Sequence, residues 1–197
     1  DPALVGPLFC AGSTVFSPLL EFDIKPTDRV GVVGIGGLGH LALRFLNAWG
    51  CEVIAFTSSL NKQDEAKRLG AHKVVPSTDS AAMKAIAGTL DFLLVTASAD
   101  LDWIALLGTL RGKGRLHFVG IVPSAIPVHV FNLIPQQKSL SGSPVGSPGT
   151  MATMLEFCAR HQILPQVEHF PMSKVNDAIA HLRSGKARYR VVLDASK

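Results

Sequence analysis

Four glycines crowd the six positions 34 to 39, inside the stretch VGVVGIGGLGHLALRF that runs from residue 30 to 45. The valine-rich residues before them read as a short strand. The Ala/Leu-rich run from His40 to Trp49 has helical spacing and stops at Gly50. A strand that turns at once into a helix is the setting in which GxGxxG, here Gly34, Gly36 and Gly39, carries meaning. Gly34 permits the tight turn, Gly36 lets backbone approach a pyrophosphate, and Gly39 lets helix and strand pack closely. The helix N-terminus, with the N–H groups of Gly37 and Leu38, then offers the positive end of its dipole to phosphate. A tight turn with no ligand is the plain alternative, and the elements flanking the motif weigh against it.

Strand-like and helix-like segments alternate beyond this motif. EVIAF (52–56) is a strand, NKQDEAKRL (61–69) a polar helix stopped by Gly70, and residues 72–75 a short strand. Residues 80–87 form a helix, DFLLV (91–95) a buried strand, and 101–110 a helix closed by the RGKG of residues 111–114. RLHFV (115–119) is the next strand. This alternation predicts an α/β fold, a Rossmann doubly wound parallel sheet with flanking helices. After Gly120 prolines break the rhythm. SLSGSPVGSPG (139–149) is a strand running into a loop, 150–161 and 173–184 are helices, and YRVVL (189–193) is a last strand. Three parts follow: a helical lead-in (1–28), the dinucleotide-binding domain (29–160) and a C-terminal return (161–197).

The 47% apolar and 17% charged content of 197 residues suits a well-cored globular chain. No apolar run reaches the ~18 residues of a membrane span, and no signal-peptide pattern opens the chain. Asp1, standing within a segment that reads as ordered, points to a domain or piece of something longer. Cys10, Cys51 and Cys158 are odd in number and far apart, which fits a reducing cytoplasm better than a disulfide framework. The net charge is +4 with a pI near 9.1, but apart from KARYR (186–190) the basic residues are scattered. Nucleic-acid binding gains little from that, whereas an anionic small ligand suits it.

Which dinucleotide is bound depends on the end of the second strand. An NAD site places an acid there for the ribose 2′-OH. This chain reads AFTSSLNK instead, so Thr57, Ser58 and Ser59 offer hydroxyls and Lys62 a cation, a set suited to a 2′-phosphate. NADP(H) is favoured over NAD. A polar turn with Ser59 or Asn61 capping the next helix is the simpler reading.

PLFCAGSTVFSPL (7–19), GIGGLGH (34–40) and the later GSPVGS and MLEFCARHQI (within 142–163) together resemble the medium-chain zinc-dependent alcohol dehydrogenases. Within them the likeness is to the NADP-preferring, cinnamyl-alcohol-dehydrogenase-like branch of aldehyde reductases, and it runs from about Pro7 to Asp194. The resemblance implies reversible reduction of an aldehyde to a primary alcohol. It implies Cys10 as a zinc ligand, Thr14 beside the nicotinamide, and Ser58, Ser59 and Lys62 as a 2′-phosphate loop. Backbone of Thr96 and Ser98, of Val119, Gly120 and Ile121, and of Gly142 and Ser143 would line the nicotinamide side. The family's remaining zinc-binding motifs belong to an N-terminal catalytic domain and do not occur here. Cys10 is therefore one ligand of three, zinc is expected in the full-length enzyme, and this chain by itself is expected to bind cofactor with little turnover. In such a chain Cys10 would sit as a small buried apolar residue. The family's dimers suggest that residues 139–146 form an edge strand facing a second copy.

Other residues read as structural. His40 is expected to pack or to stand near phosphate, while His72, His117 and His129 lie in or near strands. His161, His169 and His181 lie in or near helices or loops. Cys51 and Cys158 read as buried, and Trp49 and Trp103 as core or interface aromatics. For Arg188, Tyr189 and Arg190, phosphate contact and a solvated strand edge stand level. The competing functions are a zinc-independent quinone or enoyl reductase, a non-catalytic dinucleotide sensor and a methyltransferase. Cys10 argues against the first two, and the missing ribose acid against the third.

Overall fold

The computed structural model describes residues 1–58 and 62–195. Among them, six strands form one parallel sheet: β1 (Arg29–Val33), β2 (Glu52–Thr57), β3 (Lys73–Pro76), β4 (Leu90–Val95), β5 (Leu110–Phe118) and β6 (Ser139–Gly142). Their spatial order is β3-β2-β1-β4-β5-β6. The chain winds outward in one direction from β1 and in the other from β4. Ligands of doubly wound sheets bind in the crevice at the carboxyl ends of the strands, at that switch point.

Burial on these strands has a period of two. Val30, Val32, Val53, Ala55, Phe92 and Leu94 join one core, and Val33, Ile54, Phe56, Leu93 and Val95 join the other. A parallel sheet with helices on both faces needs apolar side chains on both, which is why its strands read as unbroken apolar runs. The first core is roofed by α2 (Ser13–Glu21) and α3 (Gly39–Trp49), and α4 (Gln63–Arg68) adds Ala66 to it, while α1 (Pro2–Pro7) buries no residue. The second is closed by α5 (Ser80–Lys84) and α6 (Trp103–Thr109), which contribute Met83, Trp103, Leu106 and Leu107. Helix α7 (Pro148–His161) returns to the first core through Met154 and Cys158. Last come α8 (Val175–Arg183) and a separate two-stranded parallel sheet of β7 (Val167–Pro171) and β8 (Arg190–Asp194).

Four expectations change. Helix α1 runs through a π-helical turn, Leu8–Gly12, into α2, so Pro2–Glu21 is one apolar helix of 20 residues, containing an 18-residue stretch of mean hydropathy 1.6. By length and composition it could cross a membrane, contrary to the sequence reading. Here Leu8, Ala11, Val15, Phe16 and Leu19 of that helix are core residues. Second, the RGKG of residues 111–114 does not merely close a helix. Strand β5 already starts at Leu110, and those residues form an irregularity in its pairing with β4, with Lys113 in the left-handed region at φ 64°. Third, VEHFP forms β7, so His169 stands in a strand rather than a helix or loop. Fourth, α5 is shorter than expected, ending at Lys84. The start of the 61–69 helix, with the proposed caps Ser59 and Asn61, lies outside the described residues.

Candidate functional site

The register of the sheet places the carboxyl ends of five strands level. Val33 pairs with both Phe56 and Val95, Val95 with Phe118, and Phe118 with Gly142. The next residues, Gly34, Thr57, Thr96, Val119 and Ser143, therefore form one row, four strand spacings or roughly 19 Å long. Hydrogen bonds carry the ladder into it, from Gly34 N–H to Phe56 O (3.2 Å), Thr96 N–H to Val33 O (3.0 Å) and Ser143 N–H to Phe118 O (3.2 Å). Nearly every residue expected to meet cofactor stands on this row or directly after it.

The glycine turn occupies its centre. Gly34 has φ +91°, and a Cβ there would lie 2.9 Å from the Ala97 Cβ. A Cβ on Gly39 would lie 1.9 Å from the Gly34 carbonyl oxygen, so only glycine lets α3 start this close to β1. At Gly36 nothing lies within 4 Å of such a Cβ, and the residue is exposed. The backbone is bare where nothing in the chain needs it bare, which is the cradle an approaching phosphate group requires. Thr96 braces the turn, its hydroxyl donating to Gly34 O at 2.7 Å and lying 3.0 Å from Val33 O.

Remote residues lock the turn from behind. His40 is wholly buried; its Nδ1 lies 3.0 Å from Gly36 O and its Nε2 accepts from Gln166 N–H at 3.2 Å. An acceptor on one side and a donor on the other define a neutral ring with its proton on Nδ1. Burial, with the Arg44 and Arg190 charges nearby, lowers its pKa to about 4. The ring stacks on Tyr189 at 4.8 Å and 15°. A Cβ on Gly37 would lie 2.9 Å from Arg190 Nη1, so a guanidinium from β8 rests on the phosphate turn. Arg188 instead approaches Glu65 of α4, at 3.3 Å. The sequence left all three of these residues open; in the structure Tyr189 is buried, Arg188 turns to Glu65 and Arg190 lies against Gly37.

Toward β2, a cleft of about 200 Å³ brings together Gly34, Thr57, Ser58, Lys62, Ser77 and Ala99. Thr57 is buried, Ser58 exposed and Lys62 half-buried. Ser59 lies outside the described residues. Gly37 and Leu38 are half-buried at the start of α3; Ser98 and Ile121 are exposed, and Val119 and Gly120 are half-buried. Gly142 is exposed at the end of β6.

Thr14 is buried on α2. Its neighbour Ser13 meets the loop after β6, where a Cβ on Gly146 would lie 2.7 Å from the Ser13 Oγ. Cys10 sits mid-way along the π-helical turn and is exposed, not buried as expected, while Leu8 and Ala11 of the same turn face the core. Among the described residues no three His, Cys, Asp or Glu converge on a point where a metal could sit. The residues of this chain fit a dinucleotide and do not by themselves fit a zinc ion.

Fold and row together define an α/β dinucleotide-binding domain. The zinc-binding dehydrogenase family matches residues 37–160, and the chain belongs to that family. It is 54% identical over 197 residues to an aldehyde reductase of Synechocystis, covering 100% of this chain and 59% of that protein. A cinnamyl alcohol dehydrogenase structure from Sorghum bicolor superposes with a TM-score of 0.94 at 38% identity, over 98% of this chain and 56% of that one. A Helicobacter pylori structure described as CAD complexed with NADP(H) gives 0.87 at 31%, over 98% and 55%. The chain thus spans a little over half the length of the relatives it matches.

Proposed function

We propose that this chain is the NADP(H)-binding part of an alcohol dehydrogenase or aldehyde reductase. The dinucleotide lies along the carboxyl edge of the sheet. Thr57, Ser58, Ser59 and Lys62 take the 2′-phosphate. Gly36, Gly37 and Leu38 with Arg190 take the pyrophosphate, and Thr96–Ser98, Val119–Ile121 and Gly142–Ser143 take the nicotinamide half. When bound, the cofactor supplies a hydride donor or acceptor for interconverting an aldehyde and a primary alcohol. The chain's part is to hold the pyrophosphate on backbone N–H groups and one guanidinium, to present hydroxyls and an ammonium to the 2′-phosphate, and to wall the nicotinamide with backbone.

One observation carries this reading: a single row joins an open Gly36 to a cleft with hydroxyls and a lysine but no acid. The Synechocystis and H. pylori relatives, named for aldehyde reduction and for bound NADP(H), support it. The whole protein would act on a small alcohol or aldehyde. Cys10, with Thr14 beside the nicotinamide, would supply one of the zinc ligands that a longer chain completes. Strand β6 is a free edge of the sheet, and Ile121, Phe131, Ile134 and Val145 in the adjoining connections are exposed. A homodimer pairing along that edge would cover them. Three unpaired cysteines suit a cytoplasmic setting.

Calorimetric titration with NADPH and NADH tests the reading. Tighter binding of NADPH, by about ten-fold or more, is expected from a charge-assisted phosphate site. Equal affinities would remove the 2′-phosphate role from the Thr57–Lys62 loop.

A further inference from the structure

One buried polar group faces the row from inside the sheet. His117 on β5 is wholly buried, with Nδ1 2.8 Å from Ser141 Oγ and Nε2 2.8 Å from Ser143 Oγ. The rings of Phe22 and Phe92 pack on it with centroids 4.9 and 5.8 Å away. An aliphatic side chain would satisfy such a site, whereas a histidine has to be desolvated there and so needs both nitrogens bonded. Burial keeps the ring neutral, against the pull of Glu21. A neutral imidazole has one N–H and one lone pair. With a hydroxyl at each nitrogen, one serine must donate to the ring and the other accept from it. The ring therefore ties β6 to β5 at the register pair His117–Ser141 and engages the Ser143 hydroxyl in one hydrogen bond, with Ser141 and Ser143 in opposite donor and acceptor roles.

We propose that His117 is a positioning residue for the nicotinamide half of bound NADP(H), acting through Ser143. The proposal rests on the cofactor reading above. Ser143 follows the end of β6, with β5, β4 and β1 standing between it and β2, the strand that carries Thr57 and Ser58. A group oriented at Ser143 therefore bears on one half of the dinucleotide only.

The experiment compares affinities of the full chain for NADPH and for adenosine 2′,5′-bisphosphate, which carries the adenosine half alone. Ser143→Ala and His117→Leu are each expected to weaken NADPH roughly five-fold, the worth of one ordinary hydrogen bond. Combined, they should cost no more than either alone, because both remove the same oriented hydroxyl. Neither should change affinity for the bisphosphate. His117→Gln, whose amide also carries a donor and an acceptor, should restore part of the loss. In the ¹⁵N spectrum the His117 ring should show one protonated and one bare nitrogen, and both signals should move on adding NADPH but not the bisphosphate.

Unchanged NADPH affinity in both single variants would overturn the proposal. Equal losses for the two ligands would also overturn it, since that is what a purely structural histidine gives. If His117→Leu does not fold, Ser143→Ala carries the test, because it leaves the ring and Ser141 in place. Failure of the unsubstituted chain to bind NADPH would instead sink the cofactor reading, and this proposal with it.

Discussion

The phosphate turn and the loop after β2 lie side by side on one row and are built in opposite ways. The turn is closed on every side but one. Gly34 and Gly39 touch what lies behind them, Thr96 and His40 hold its carbonyls, and Arg190 rests on Gly37. Of the loop, the described residues Ser58 and Lys62 are exposed and half-buried, and both line a small cleft. A rigid turn decides where a dinucleotide lies. On the proposed reading, the hydroxyls and the ammonium of the loop would decide which dinucleotide it is. Substitutions in the turn should therefore cost stability or weaken NADPH and NADH alike, and substitutions in the loop should change only their ratio.

The largest effect belongs to Gly39→Ala, because the new methyl group meets a backbone oxygen that no side-chain rotation can move. Destabilisation of about 3 kcal/mol or more is expected, with binding of both cofactors lost, read by denaturant unfolding and calorimetry. His40→Leu comes next. It strips partners from the Gly36 carbonyl and the Gln166 N–H and should cost about 2 kcal/mol at pH 7. The same variant changes the acid limb of stability. His40 has a pKa of about 4 when folded against an ordinary 6.5, so the unfolded chain binds the proton more readily between those values. Stability therefore falls as pH drops from 6.5 toward 4, and His40→Leu should make that fall shallower in unfolding curves taken across the window. His117, shifted the same way by burial, leaves a remaining slope.

Smaller effects separate the two regions more sharply. Arg190→Gln should weaken NADPH and NADH by a similar factor, about ten-fold, since the pyrophosphate is common to both. A loss confined to NADPH would move Arg190 out of the turn's machinery and into the loop's. Lys62→Ala should reduce NADPH affinity by about five-fold and leave NADH unchanged. Equal losses there would make the loop part of the rigid frame and break the contrast.

How far each region can be read from sequence follows from the span of its constraints. The demands on Gly34, Gly36 and Gly39 fall within six consecutive residues flanked by an apolar strand and an apolar helix, so pattern alone exposes them. The strands of the large sheet are legible for the same reason, each being a short apolar run bounded by turns. The lock on the turn is not. Gln166 lies 126 residues from His40 in the chain, and its role exists only because β7 pairs with β8. VEHFP, with a charge, a histidine and a proline in five residues, gives no alternation to reveal that strand. Composition likewise gives no sign of the π-helical turn that carries Cys10, since an uninterrupted α-helix would carry the same apolar residues. Ser141 and Ser143 stand more than twenty residues from His117, and parallel pairing alone makes them its partners.

The central claim is that one dinucleotide lies along the whole carboxyl edge, from the loop after β2 to the end of β6. An amide chemical-shift titration of the ¹⁵N-labelled chain with NADPH tests it most directly. The account predicts that Gly36, Ser58, Thr96, Gly120 and Ser143 all shift and saturate at one common concentration, while β3 and α8 stay still. Shifts confined to the turn, or ends of the row saturating at different concentrations, would contradict it.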